Sequence, residues 1–94
     1  MENKQVIFDA SSIFKALGDE TRLQIMSVIK ESPKTVSEIT KNTRVSQSCV
    51  SHQLTFLKEL RLVKSERKGR CIYYSFDDDH IKGIIEKAFA HVME

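Results

Sequence analysis

Between Val63 and Phe76 the hydropathy pattern changes its period, and that change limits the folds open to the chain. Ile72, Tyr74 and Phe76 alternate with Tyr73 and Ser75, so residues 63–67 and 71–76 read as two short strands on either side of Lys68-Gly69. The tip of this hairpin, Arg67-Lys68-Gly69-Arg70, is basic. The other apolar residues recur at helical spacing. The expected class is therefore mainly α with one small β-hairpin.

Helix punctuation supports this division. Residues 11–17 form a short amphipathic segment that ends at Gly18, and Asp19 is placed to cap the next helix. Leu23, Ile25, Met26, Val28 and Ile29 give that helix a wide apolar stripe, and Pro33 ends it. Thr35-x-x-Glu38 reads as a capping box that opens a third helix, running to about Thr43. Ser46 is the next N-cap, followed by Val50, Leu54, Leu57 and Leu60 at helical spacing. Gln47, Ser48, Ser51, His52 and Thr55 fall largely on the other faces of that helix. A short helix, a tight connection over residues 42–45 and a second helix with a polar N-terminal surface read as helix-turn-helix. A basic hairpin directly after it is the layout of a winged helix, whose wing reaches phosphates or the minor groove. The alternative for the hairpin alone is a solvated turn with ordinary surface charge. Residues 78–93 form the closing helix, with Ile81, Ile84, Ile85, Ala88, Phe89 and Val92 broad enough to serve a core and a dimer partner.

Ninety-four residues make one domain, 1–94, small enough to gain stability from a homodimer interface. The net charge is only +2, so its distribution says more than its sum. Residues 58–70 hold six basic and two acidic side chains, whereas acid outnumbers base from Asp77 onward. One face is suited to polyanions and another to cations. Cys49 and Cys71 lack CxxC spacing and fit a reduced, cytoplasmic chain. No apolar run approaches the ~20 residues that span a bilayer, and MENKQVIFDA is not a secretory signal, so no membrane partner is expected.

The acidic end carries Asp78-x-His80 and His91-x-x-Glu94. His80 and His91 are eleven residues apart, which at about 1.5 Å per residue puts them roughly 16 Å apart along a helix, too far to share an ion. His91 and Glu94 share a helical face, and Asp78 can converge with His80 if it sits at a helix N-terminus. An antiparallel partner helix would bring Asp78 and His80 of one chain to His91 and Glu94 of the other, giving two equivalent sites. Two imidazoles and two carboxylates suit Zn(II), with Co(II) as a mimic. The same residues also admit a plainer reading, in which the aspartates cap a helix and the histidines are surface residues.

The stretches FKALGDETRLQIM, VSQSCVSHQLTFLKELRLV and GRCIYYSF, with the terminal Asp78, His80, His91 and Glu94, resemble the ArsR/SmtB family of metal-sensing repressors. The resemblance spans about residues 13–94. It implies a homodimeric winged helix-turn-helix protein that represses an operator near its own gene and releases it when a metal binds. Two recognition helices would then enter successive major grooves ~34 Å apart on an inverted repeat of double-stranded DNA. Gln47, Ser48, Ser51 and His52 are the candidate base or phosphate contacts. Lys64, Arg67, Lys68 and Arg70 are candidates for mainly phosphate contacts.

The family's cysteine-pair site corresponds here to Thr35-Val36-Ser37-Glu38, and the N-terminal arm has neither Cys nor His. What remains is the closing-helix zinc pattern, complete at Asp78, His80, His91 and Glu94. Glu94 is terminal, where its α-carboxylate or a water could substitute. Cys49 and Cys71 fall outside the pattern and are expected to be structural. Their alternative role is in a repressor that responds to thiol oxidation. A zinc hydrolase would need an open coordination position, and a protein-interaction module would dispense with DNA altogether.

Overall fold

Each helix of the computed structural model, which describes all 94 residues, starts at a side chain that accepts a backbone N–H. Asn3 caps α1 (Lys4–Leu17) through Val6 N, and Asp19 caps α2 (Glu20–Ile29) through Arg22 N. At α3 (Val36–Lys41) the predicted capping box is complete. Glu38 N donates to Thr35 Oγ1 at 3.1 Å, and Thr35 N donates to Glu38 Oε1 at 2.9 Å. Ser46 caps α4 (Gln47–Glu59), and Asp78 caps α5 (Asp79–Met93).

Two helix boundaries differ from expectation. Helix α1 begins at Lys4 rather than Ser11, because its first turns need no core partner: Val6, Ile7 and Phe8 remain 46, 50 and 66% exposed. Helix α3 stops at Lys41, short of Thr43. The Asn42 side chain donates to Glu38 O at 2.8 Å and the Thr43 hydroxyl to Ile39 O at 2.9 Å. Local side-chain bonds of this kind offer carbonyls at a helix end partners other than the next turn.

The sixteen buried residues are all apolar. Ile25 and Met26 of α2, Ile39 of α3 and Val50, Leu54 and Leu57 of α4 are fully enclosed. Ala16 and Leu17 close one side, and Ile81 and Ile85 of α5 close another. Leu62, Val63 and Phe76 carry the core into the base of the hairpin.

That hairpin pairs β1 (Val63–Lys68) with β2 (Cys71–Phe76) in antiparallel register, from Val63 opposite Phe76 to Lys68 opposite Cys71. Gly69 turns the chain at φ +65°, which an L side chain rarely adopts. Burial fades along the ribbon, from Phe76 at 7% exposure to Ile72 at 40%. The base is clasped from outside: Lys34 and Tyr74 exchange backbone bonds of 3.0 and 2.7 Å, joining the segment before α3 to β2.

The joint between α4 and β1 is a Schellman motif. Leu62 N reaches back to Leu57 O at 2.9 Å and Arg61 N to Lys58 O at 3.0 Å, with Arg61 at φ 60°. Leu62 and Leu57, both buried, supply the apolar contact of that motif. Glycine is the usual residue at this position, so the sequence carried no local sign of it. Leu60, predicted to face the core, is instead the C-cap and is 38% exposed. No helix is long and apolar enough to cross a membrane.

Candidate nucleic-acid interface and metal half-sites

Burying Val50, Leu54 and Leu57 on one side of α4 leaves Gln47, Ser48, Ser51 and His52 all exposed on the rest of its first two turns. The connection before α4 is pinned rather than loose. Val45 is buried, its N–H donates to Thr43 Oγ1 at 3.3 Å, and Arg44 N reaches Gln24 Oε1 at 3.5 Å. Exposed Lys41 and Arg44 flank this turn and add positive charge next to the N-terminus of α4. Neither was singled out from the sequence, although two cations so close to an N-cap before a polar helix are a readable signal.

The hairpin separates its basic side chains. Strand alternation puts Val63, Ser65 and Arg67 on the face of Tyr74 and Phe76, and Lys64, Glu66 and Lys68 on the other. Lys58 Nζ of α4 donates to Ser65 Oγ at 2.7 Å, so the first face is the one turned toward α4. Arg67, Lys68 and Arg70 gather at the exposed tip. Lys64 sits at the base instead, lining with Ser75, Lys82 and the Asp77–Asp79 carboxylates a cleft of about 200 Å³. The four wing cations thus form a cluster of three at the tip and one beside the acidic start of α5.

At that start, the local bonds bring Asp78 and His80 together. Asp78 Oδ1 accepts from Ile81 N at 3.1 Å, and Asp78 Oδ2 lies 3.8 Å from His80 Nδ1. This is the only acid–base side-chain pair within 4.0 Å in the chain. The Asp78 side chain is 49% exposed and that of His80 93%, so both face outward. The bond from Ile81 N–H holds the Asp78 carboxyl below its ordinary value of 3.8; burial opposes it, and the adjacent His80 lowers it further.

The sign of this shift gives a prediction. A lowered folded-state pKa stabilises the fold above 3.8, and that contribution is lost as pH falls through the lowered value. Asp78→Ala should reduce the thermal midpoint near neutral pH, and the gap to the parent should close in acid. A gap constant from neutral pH to pH ~2 would contradict the cap.

His91 and Glu94 lie exposed at the other end of α5. They do not meet Asp78 and His80 within one chain, and no three potential ligands of a single chain cluster. Each chain therefore keeps its two candidate ligand pairs apart. Cys49 is half-buried in α4 and Cys71 exposed at the wing, both as free thiols.

An apolar surface accompanies the half-sites. Val6, Ile7, Phe8 and Phe14 of α1 and Val92 and Met93 of α5 are all large and exposed. Between them Phe14, Leu17, Leu23, Ile84 and Ala88 line a groove of about 200 Å³.

Comparison with known proteins agrees with this architecture. Residues 19–65, from the cap of α2 into β1, match the family described as bacterial regulatory protein, arsR family. A cadmium resistance transcriptional regulatory protein CadC homolog of Staphylococcus aureus is 39% identical over 97% of this chain and 76% of its own length. A transcriptional repressor SmtB homolog of Synechocystis is 38% identical over 89% of this chain and 64% of its own. The solution structure of apo-NmtR superposes with a TM-score of 0.83 at 33% identity, covering 97% of this chain and 76% of that one. With its short α3, polar-faced α4 and basic hairpin, the chain belongs to the arsR family of bacterial regulatory proteins and is a winged helix-turn-helix transcriptional regulator.

Proposed function

We propose that this protein is a metal-responsive repressor that binds operator DNA as a metal-free homodimer and releases it when Zn(II) occupies sites shared between two α5 helices. The observation that supports the reading is that Asp78 lies beside His80 at the start of α5, while His91 and Glu94 lie exposed at its other end. An antiparallel copy of α5 joins each pair to its complement, completing two imidazoles and two carboxylates. Co(II) accepts the same donors. The exposed apolar residues of α1 and α5 are the surface for that second copy. Relatives named for cadmium resistance and as transcriptional repressors support metal response and repression.

On DNA, Gln47, Ser48, Ser51 and His52 face the major groove of an inverted repeat. Gln47 is able to bond adenine bidentately, and the serines read less specifically. Arg67, Lys68 and Arg70 bind phosphates from the wing, and Lys64 does so from its base. A metal lowers DNA affinity only by binding one dimer conformation better than another. Fixing both ends of paired α5 helices favours one relative position of the subunits, and release follows if that position no longer fits two grooves.

The test is zinc titration of the protein bound to a fluorescent duplex from its own promoter. Release at saturating zinc supports the reading, and a complex that stays bound overturns it. The wing gives a separate expectation. Replacing Arg67, Lys68 and Arg70 by Ala should weaken specific and non-specific DNA alike, and flatten the log–log salt dependence by about 0.9 for each phosphate no longer neutralised. An unchanged salt slope would remove the wing from the interface.

A further inference from the structure

Arg22 makes the most widely connected side-chain contacts in the molecule, and none is with a carboxylate. Its Nε donates to Gln53 Oε1 of α4 at 2.8 Å, its Nη1 to Ala16 O of α1 at 3.3 Å, and its guanidinium lies 4.3 Å from the centre of the Phe56 ring. One planar group on α2 thereby grips α4 at two side chains and α1 at a carbonyl. Charge pairing does not explain it, since no carboxylate lies within 4.0 Å of its guanidinium and the only acid–base pair in the chain is Asp78 with His80. The chemistry used is the rigid fork and the flat face of a guanidinium, neither of which lysine offers.

The grip falls at an informative place on α4. Gln53 and Phe56 are three residues apart and share one flank. At about 100° per residue, Gln53 lies nearly half a turn around the helix from Ser51. Arg22 therefore holds a flank of α4 turned away from Gln47 and Ser51 and bordering His52 at Phe56, while Val50, Leu54 and Leu57 fill the core side. Core packing by aliphatic side chains tolerates small rotations, because it has no directional bonds. Hydrogen bonds to base edges do not: at a side-chain radius of ~5–6 Å, a roll of about 20° moves a donor by roughly 2 Å and breaks the bond.

We infer that Arg22 is a positioning residue for sequence recognition, fixing the roll of α4 relative to α1 and α2 through Gln53, Phe56 and the Ala16 carbonyl. The inference rests on the proposed reading of DNA by α4. It adds residues that need not touch DNA. Arg22 and Gln53 set which way Gln47, Ser48, Ser51 and His52 face.

The test compares wild type, Arg22→Lys, Gln53→Met and the double variant. The probes are a duplex that the wild type selects from a random pool and an unrelated duplex of equal length, at one salt concentration. Gln53→Met keeps side-chain length and removes the carboxamide, and with it the acceptor of the Arg22 bond. It should fold, bind the unrelated duplex as the wild type does, and lose about tenfold in its preference for the selected duplex, the scale of one hydrogen bond to a charged group. Arg22→Lys should lose as much, and the double variant no more than Arg22→Lys alone, because the partners act as one unit. Lower thermal midpoints with unchanged preference would make the contacts merely structural and overturn the inference. If the wild type selects no sequence at all, the reading of DNA by α4 fails first, and the positioning role falls with it.

Discussion

In a His91→Ala variant, zinc no longer releases DNA, while the metal-free complex keeps its affinity. His91 is exposed at the end of α5, distant in sequence from Gln47–His52 and from the wing, so its loss removes no proposed DNA contact. It also removes no core packing, since only Ile81 and Ile85 of α5 are buried. Its effect falls on metal affinity. Loss of residues that only orient metal ligands costs ~10–100-fold in affinity, so loss of a ligand costs more. Allosteric coupling is typically ~1–3 kcal/mol, which corresponds to a 5–150-fold fall in parental DNA affinity at saturating zinc. The variant should show less than a ~2-fold change under the same zinc concentration. Calorimetric zinc binding and DNA anisotropy, run on the same samples, check both halves. Zinc-driven release that persists undiminished in the variant would place the switch elsewhere.

The second large effect is on stability. Leu54→Ala should lower the unfolding free energy by ~2–5 kcal/mol, the range for emptying a fully buried leucine site. Leu54 is 0% exposed, on the inner side of the same helix whose outer side is proposed to read DNA. At roughly 0.05–0.15 kcal/mol per residue, a chain of this length holds ~5–14 kcal/mol in total. The substitution therefore removes a large share of the fold's margin. DNA binding should fail as the protein unfolds, with no gradual loss of sequence preference at temperatures where it remains folded. Urea denaturation followed by circular dichroism gives the free energy. A shift below ~1 kcal/mol would mean that the core closes over the missing side chain far better than cores usually do.

Features with local causes were the ones legible in the sequence. Asp19, Thr35 with Glu38, Ser46 and Asp78 all cap the helices that their residue types foretold, because a cap bond spans only three residues. The wing was legible because alternation and a turn glycine mark it within fourteen residues, 63–76. The first half of α1 was not, because Val6, Ile7 and Phe8 point away from the core and follow no burial period. Arg61 hid the Schellman turn by standing where glycine is usual. At the candidate sites the same division holds. Asp78 and His80 are neighbours in sequence, and their convergence could be argued from a cap alone. The placing of Lys64 beside the acidic start of α5 depends on how the hairpin base packs on that helix, and the Arg22–Gln53 bond joins residues thirty-one positions apart. Long-range contacts of that kind leave no periodic or compositional trace.

The roughly 16 Å between His80 and His91 along α5 would, at the proposed shared site, tie metal occupancy to the concentration of the chain itself. An isolated subunit offers the ion only a bidentate grip at either end, so four-ligand binding becomes an equilibrium of two chains as well as of metal. By mass action, zinc then tightens the pair, and dilution of the protein weakens its hold on zinc. At such a site, a cell that makes little of this regulator would detect the ion at a higher free level than one that makes more.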